Sequence, residues 1–203
     1  MAISGKVYNR EEERGLIMID LGMYRLSEDV QLPKFGTSMS TCFDLHYCPT
    51  NKIVKGYTEF NVPIERFVEE DRGVYIAPGE RLLIPTGLVM KIEKHLSIET
   101  FGDIMDHSEP LKQYSIRLHP RSGLSLKRGL VLANSEGVVD VDYQQEVFVL
   151  MTNISKISQI IAYQERIAQA EVIVNEGLHI TELASMPTPH SDRNGGFGST
   201  GTV

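Results

Sequence analysis

Apolar residues come in short bursts along this chain, set apart by glycine, proline and asparagine. Arg81 to Ile92 reads as two short strands around a Pro85-Thr86-Gly87 turn. Gln145 to Thr152 is a nearly continuous apolar run, which predicts a strand buried on both faces. Ile167 to Val174 predicts a further strand. Val131-Leu132-Ala133 and Val138-Val139-Asp140 predict two short pieces flanking Asn134 and Gly137. Helical periodicity is thin. Leu124 to Arg128 predicts one or two turns ended by Gly129, and Ile64, Phe67 and Val68 predict a second helical stretch. Many short strands with regular turn signals make an all-β chain, a sandwich or a jelly roll.

Length and composition narrow this picture. At 203 residues the chain suits one domain with insertions, and 41% hydrophobic content is enough for a core. No apolar run approaches the roughly 20 residues of a membrane span. The first residues carry no apolar signal region, and Cys42 and Cys48 read as free thiols, so a cytoplasmic protein is expected. Six scattered histidines have no metal-ligand spacing. A net charge of −7 argues against a general nucleic-acid binder. Any phosphate site must be a local cluster of arginines and backbone donors.

The end of the chain, Arg193-Asn194-Gly195-Gly196-Phe197-Gly198-Ser199-Thr200-Gly201-Thr202-Val203, cannot build a core. Glycine N–H groups and hydroxyls can wrap phosphate, arginine can grip a terminal phosphate, and a ring can stack on a base. Read alone, it is equally a disordered polar tail. Four other segments also carry chemistry: Ser40-Thr41-Cys42-Phe43-Asp44-Leu45, Pro120-Arg121-Ser122-Gly123-Leu124, Asn134 to Tyr143, and Glu165-Arg166-Ile167-Ala168-Gln169. Each has an ordinary alternative. Asp44 can be a turn residue, the Pro-Arg-Ser-Gly run a loop before a helix, Asp140 and Asp142 a solvated edge, and Arg166 a surface ion pair.

Taken together and in order, the five segments resemble the trimeric dUTPase family, over about Tyr24 to Gly201. Leu32 to Thr37, Pro78 to Arg81 and Pro85 to Leu88 fit its framework as well. Thr41-Cys42 and Gln144-Gln145 depart from it, since the family has Ala-Gly at the first place and a basic residue or Gln followed by Gly at the second. The resemblance implies a distorted jelly roll of the β-clip kind, assembled as a homotrimer with sites at subunit interfaces. It implies hydrolysis of dUTP to dUMP and pyrophosphate by water attack on the α-phosphorus. Asp140 matches the general base, with Asp44 and Arg121 as the other catalytic positions. Asn134, Gly137, Val139 and Tyr143 match the uracil and deoxyribose hairpin. Ser122, Gly123 and Gln169 match phosphate contacts, as do Arg193, Gly198, Ser199 and Thr200 from the tail, whose Phe197 would stack on uracil. Mg2+ is implied, held by the substrate phosphates and approached by Asp44 through water.

The implied layout is an N-terminal extension (1–22), a β domain (23–190) with insertions near 50–73 and 94–113, and a mobile closing tail (191–203). Two other functions fit the same fold. One is a dCTP deaminase or bifunctional deaminase–dUTPase, and the other is a regulatory protein acting on a protein partner through an insertion. No nucleic-acid or membrane partner is expected.

Overall fold

A computed structural model describes residues 19–93, 113–175 and 178–188. In it the apolar bursts become β1 (Asp20–Arg25), β2 (Phe43–His46), β3 (Ile53–Tyr57), β4 (Pro63–Phe67), β5 (Val74–Ile76) and β6 (Arg81–Glu93). After the gap come β7 (Gln113–Pro120), α1 (Ser122–Arg128), β8 (Leu130–Leu132), β9 (Gly137–Asp140), β10 (Glu146–Asn153), β11 (Gln159–Ile161) and β12 (Arg166–Asn175). The larger sheet runs β4-β3-β6-β10-β8, with β1 also paired to β6. A four-stranded sheet runs β2-β12-β7-β9, and β11 pairs with β5. The strand pairs are antiparallel. The inner faces share one apolar core. Leu82, Ile84, Met90, Val149 and Met151 come from the large sheet, and Phe43, Leu45, Ile116, Leu118 and Ala170 from the four-stranded one. Each large apolar side chain buried there contributes about 1.5–3 kcal/mol. No helix among the described residues is long and apolar enough to cross a membrane.

Three expectations are corrected. Arg81 to Ile92 lies within one strand, not two. Its Pro-Thr-Gly segment is absorbed as an irregularity: β10 pairs Phe148 with Pro85 and Glu146 with Val89, leaving Thr86, Gly87 and Leu88 opposite Val147. Gly87 takes φ 68°, its N–H donates to Glu146 Oε1 (2.8 Å), and the Thr86 hydroxyl donates to the Val147 carbonyl (2.6 Å). Side-chain and bulge hydrogen bonds thus replace the ladder across the proline.

The Ile64, Phe67, Val68 stretch is not helical. Residues 63–67 are β4, paired with β3 from Ile53↔Phe67 to Tyr57↔Pro63. The hairpin partner outweighs a three-residue helical spacing, and Arg66 is drawn to the buried Glu80 by an ion pair. β4 pairs with β3 alone among the described strands.

The run after Gln145 is not buried on both faces within this chain. β10 alternates, with Val147, Val149 and Met151 inside and Phe148 and Leu150 on the outer face. Phe148 is 38% exposed, and Leu83 beside it on β6 is 43% exposed. The outer side of the large sheet is therefore apolar and partly exposed around Leu83 and Phe148.

The other predicted pieces appear in place, as β8, β9, β12 and α1. α1 ends at Gly129, whose φ of 65° is left-handed and whose N–H returns to the Ser125 carbonyl.

Candidate active site

The four-stranded sheet organises the chemistry. Alternation along each strand sends Asp44 and His46 of β2, Gln169 and Glu171 of β12, Arg117 and His119 of β7, and Val138 and Asp140 of β9 to its outer face. Cross-strand register places Asp44 beside Gln169 and Gln169 beside His119.

At one end of this face lies a cluster of arginines around a carboxylate. Arg121 Nε meets Asp44 Oδ1 at 3.0 Å and Arg166 Nη1 meets Asp44 Oδ2 at 3.1 Å. Arg121 Nη1 also donates to the Arg166 carbonyl (3.4 Å). Two guanidiniums on one carboxylate leave the cluster net positive, the condition for a local anion site on an acidic chain. Ser122 and Gly123 follow at the start of α1. A Cβ on Gly123 would meet nothing within 4 Å, so open space lies in front of it. His46, next on β2, is held below its usual pKa chiefly by burial, with Asp44 opposing and Arg166 and Arg121 adding.

At the other end is the hairpin from Asn134 to Tyr143. Ser135 takes φ 63° and the Glu136 N–H donates to the Asn134 carbonyl (2.6 Å), which makes the turn tight. Gly137 pairs with Leu118, and a Cβ there would come 3.0 Å from the Leu118 side chain, so any larger residue would have to push Leu118 aside by a few tenths of an ångström. Val139 buries its side chain in the core and leaves only its backbone to the hairpin, whereas Asp140 is exposed. The Tyr143 N–H donates to the Asp140 carbonyl (3.1 Å), and its hydroxyl donates to the Glu146 carbonyl (2.9 Å). A cavity of about 640 Å3 is lined by Asn134, Gly137, Asp140, Tyr143, Leu83 and Phe148, among others.

The structure thus gathers the expected residues into two groups, Asp44, Arg121, Ser122, Gly123 and Gln169 in one and Asn134, Gly137, Val139, Asp140 and Tyr143 in the other. It does not bring the groups together. Asp140 pairs with Ser115, and Asp44 connects through Gln169 to His119, four residues farther along β7 and two strands beyond it. Strand spacings of about 4.8 Å and rises of about 3.4 Å put the two aspartates about 20 Å apart. Arg193, Phe197, Gly198, Ser199 and Thr200 lie outside the described residues. So do the first eighteen residues and most of the 94–113 stretch, while 50–73 forms the β3–β4 hairpin.

Sequence reading missed the charged set between the two groups. Glu136 Oε2 accepts from Arg117 Nη1 (3.0 Å), and its Oε1 lies 3.7 Å from His119 Nδ1. His119 Nε2 lies 3.0 Å from Glu171 Oε1. Only strand register assembles these residues, and no local pattern signals them.

A family model described as dUTPase matches residues 100–201. The deoxyuridine 5'-triphosphate nucleotidohydrolase of Nautilia profundicola is 34% identical over 185 residues, covering 89% of this chain and 98% of that protein. The chain belongs to the dUTPase family. The corresponding Brucella melitensis enzyme is 31% identical over 191 residues, covering 90% of the chain and 94% of the relative. Among solved structures, a Staphylococcus bacteriophage 80alpha dUTPase mutant with dUpNHpp matches with a TM-score of 0.63 at 17% identity, over 90% of this chain and 98% of that one. A mutant dUTPase from phage phi11 of S. aureus, which coordinates a structural Mg(II) ion, gives 0.57 at 16% identity, over 82% and 97%. These likenesses show the fold, the jelly roll expected of a dUTPase.

Proposed function

We propose that this protein hydrolyses dUTP to dUMP and pyrophosphate, with water attacking the α-phosphorus. The observation that carries the reading is the hairpin cavity with Asp140 exposed on its wall, in a chain that belongs to the dUTPase family. Backbone donors and acceptors of Asn134 to Tyr143 read the uracil edge. The Tyr143 ring, fixed by its hydroxyl's bond to the Glu146 carbonyl, lies under the deoxyribose. Asp140 orients the water and takes its proton. Arg121, Ser122, Gly123 and Gln169 receive the phosphates. The tail closes over the nucleotide, Phe197 on the base and Arg193, Gly198, Ser199 and Thr200 on the phosphates, excluding bulk water. We take the corresponding divisions to be an N-terminal extension (1–22) whose last residues enter β1, a central domain (23–190) with insertions near 50–73 and 94–113, and this tail (191–203).

The donor set suits Mg2+ without a protein cage. Among the described residues no group of three or more His, Cys, Asp or Glu side chains could hold a metal. Both Asp44 oxygens already face guanidiniums, so its carboxylate fits contact through water and not direct ligation. Mg2+ carried on the triphosphate would neutralise charge developing there.

A separation of about 20 Å between Asp44 and Asp140, from strand spacings, supports a site shared between copies. One nucleotide needs both, so the hairpin of one chain must meet the arginine cluster of another. A head-to-tail ring does this, and a homotrimer is the ring we propose. The partly exposed apolar patch of Leu83, Phe148 and Leu150 beside the hairpin supplies a surface for such a neighbour.

Asp140→Asn tests the reading. Pyrophosphate release at saturating dUTP should fall about a hundredfold or more, while calorimetry with an imido analogue of dUTP still detects binding. Near-normal turnover would remove Asp140 from the base position.

A further inference from the structure

The charged set on the outer face of the four-stranded sheet links the nucleotide hairpin to the sheet, and it has a histidine at its centre. Glu136 sits in the tight turn between Asn134 and Gly137, both of which line the cavity. Its carboxylate is gripped by Arg117 on β7 and faces His119 Nδ1 at 3.7 Å. The other ring nitrogen of His119 meets Glu171 on β12 at 3.0 Å. These groups face His119 from every element packed against it: Glu136 from the hairpin, Glu171 from β12 and Arg117 from β7 itself. Gln169, its cross-strand neighbour, carries no charge.

A neutral imidazole has one N–H and can donate toward only one carboxylate; a charged one donates toward both. With His119 neutral, Glu136 and Glu171 outnumber Arg117 and the set carries one net negative charge. With it charged, the set balances. We propose that His119 is a positioning residue for the nucleotide hairpin: when protonated, it ties the Glu136 turn to β12 and so fixes Asn134 and Gly137 in the conformation that holds the base. His119 does not line the hairpin cavity. It acts through Glu136, so it governs how tightly nucleotide is held and leaves the chemical step alone.

The inference rests on the dUTP reading, and one experiment separates the two. Steady-state hydrolysis of dUTP is followed from pH 5.5 to 8.5 in the full-length wild type, His119→Gln and Glu171→Gln. Binding of the imido analogue is measured over the same range. Partly exposed ion pairs of this kind are worth about 0.2–1 kcal/mol each, so wild-type KM relative to His119→Gln should be about two- to fivefold lower at the acid end of this range than at the alkaline end. The kcat ratio should stay flat, and Glu171→Gln should lose part of the same effect. Protonation of the substrate phosphates is common to all three proteins and cancels in the ratio. Thermal midpoints at pH 8.5 check that each variant is folded. KM profiles of wild type and His119→Gln that superimpose would overturn the role of His119, as would a pH-dependent difference in kcat alone. Absence of pyrophosphate release from dUTP by the wild type at any pH would instead overturn the dUTP reading.

Discussion

At the scale of single residues, Tyr143 and Glu146 show how one contact serves two ends. The Tyr143 hydroxyl bonds to the Glu146 carbonyl, while the Glu146 carboxylate accepts the Gly87 N–H and, at 3.4 Å, the Thr50 hydroxyl. Tyr143→Ala removes the ring from the cavity wall, and on the proposed reading this opens room for a 2′-hydroxyl. The ratio of kcat/KM for dUTP over UTP should fall about tenfold, the scale of a pocket losing packing; an unchanged ratio would place the sugar filter elsewhere. Burial pushes the Glu146 carboxyl above its usual pKa, and its two hydrogen bonds only partly oppose this. The folded state therefore holds this proton more tightly than the unfolded chain. Stability from this group is present below the ordinary carboxylate range and is lost as pH rises through the higher folded value. Relative to wild type, Glu146→Gln should thus gain stability between pH 4 and pH 7, read from urea midpoints; a constant difference would show that the carboxylate costs nothing. In the sequence, Arg121, Gly137 and Asp140 stand out through the family resemblance of the short segments that hold them. The sequence could not name Arg166 as a partner of Asp44, because 122 positions separate the two and only the β2–β12 register joins them.

At the scale of elements, strand partners decided what spacing could not. Ile64, Phe67 and Val68 have helical spacing, yet β3 claims them through five paired positions. Pro85 argues for a strand break, yet Thr86 and Gly87 provide bonds that let β6 run on and pair β1 beyond it. Alternation in β10 was hidden because its outward residues, Phe148 and Leu150, are themselves apolar. The β3–β4 hairpin docks on β6 through one close approach: a Cβ on Gly56 would lie 2.1 Å from the Arg81 carbonyl oxygen. Gly56→Ala should destabilise the protein by about 1–3 kcal/mol, as overpacked sites do. Amide exchange should speed up in β3 and β4 first. Uniform loss of protection across the molecule would show that the hairpin is integral to the core.

At the scale of the whole molecule, the separated aspartates make a prediction about mixtures. On the proposed reading Asp140→Asn would lack a working hairpin and Arg121→Ala a working phosphate cluster, so each alone should be nearly inactive. Unfolded together and refolded in equal amounts, they should regain about a quarter of wild-type activity, because a head-to-tail site draws the two parts from different chains at random. No recovery in mixed oligomers would mean that each chain supplies both parts of its own site. The fold class was legible in the sequence through turn chemistry and strand-length bursts, and the two groups of candidate residues through the family resemblance of their segments. Their distance from each other was not, since it depends on strand order. That order also leaves β4 with a single neighbour among the described strands. Its free side begins at Pro63, which has no N–H to offer, and carries the exposed Glu65. A strand from another molecule finds a missing donor and a charge to desolvate there, so this edge is a poor template for edge-to-edge stacking.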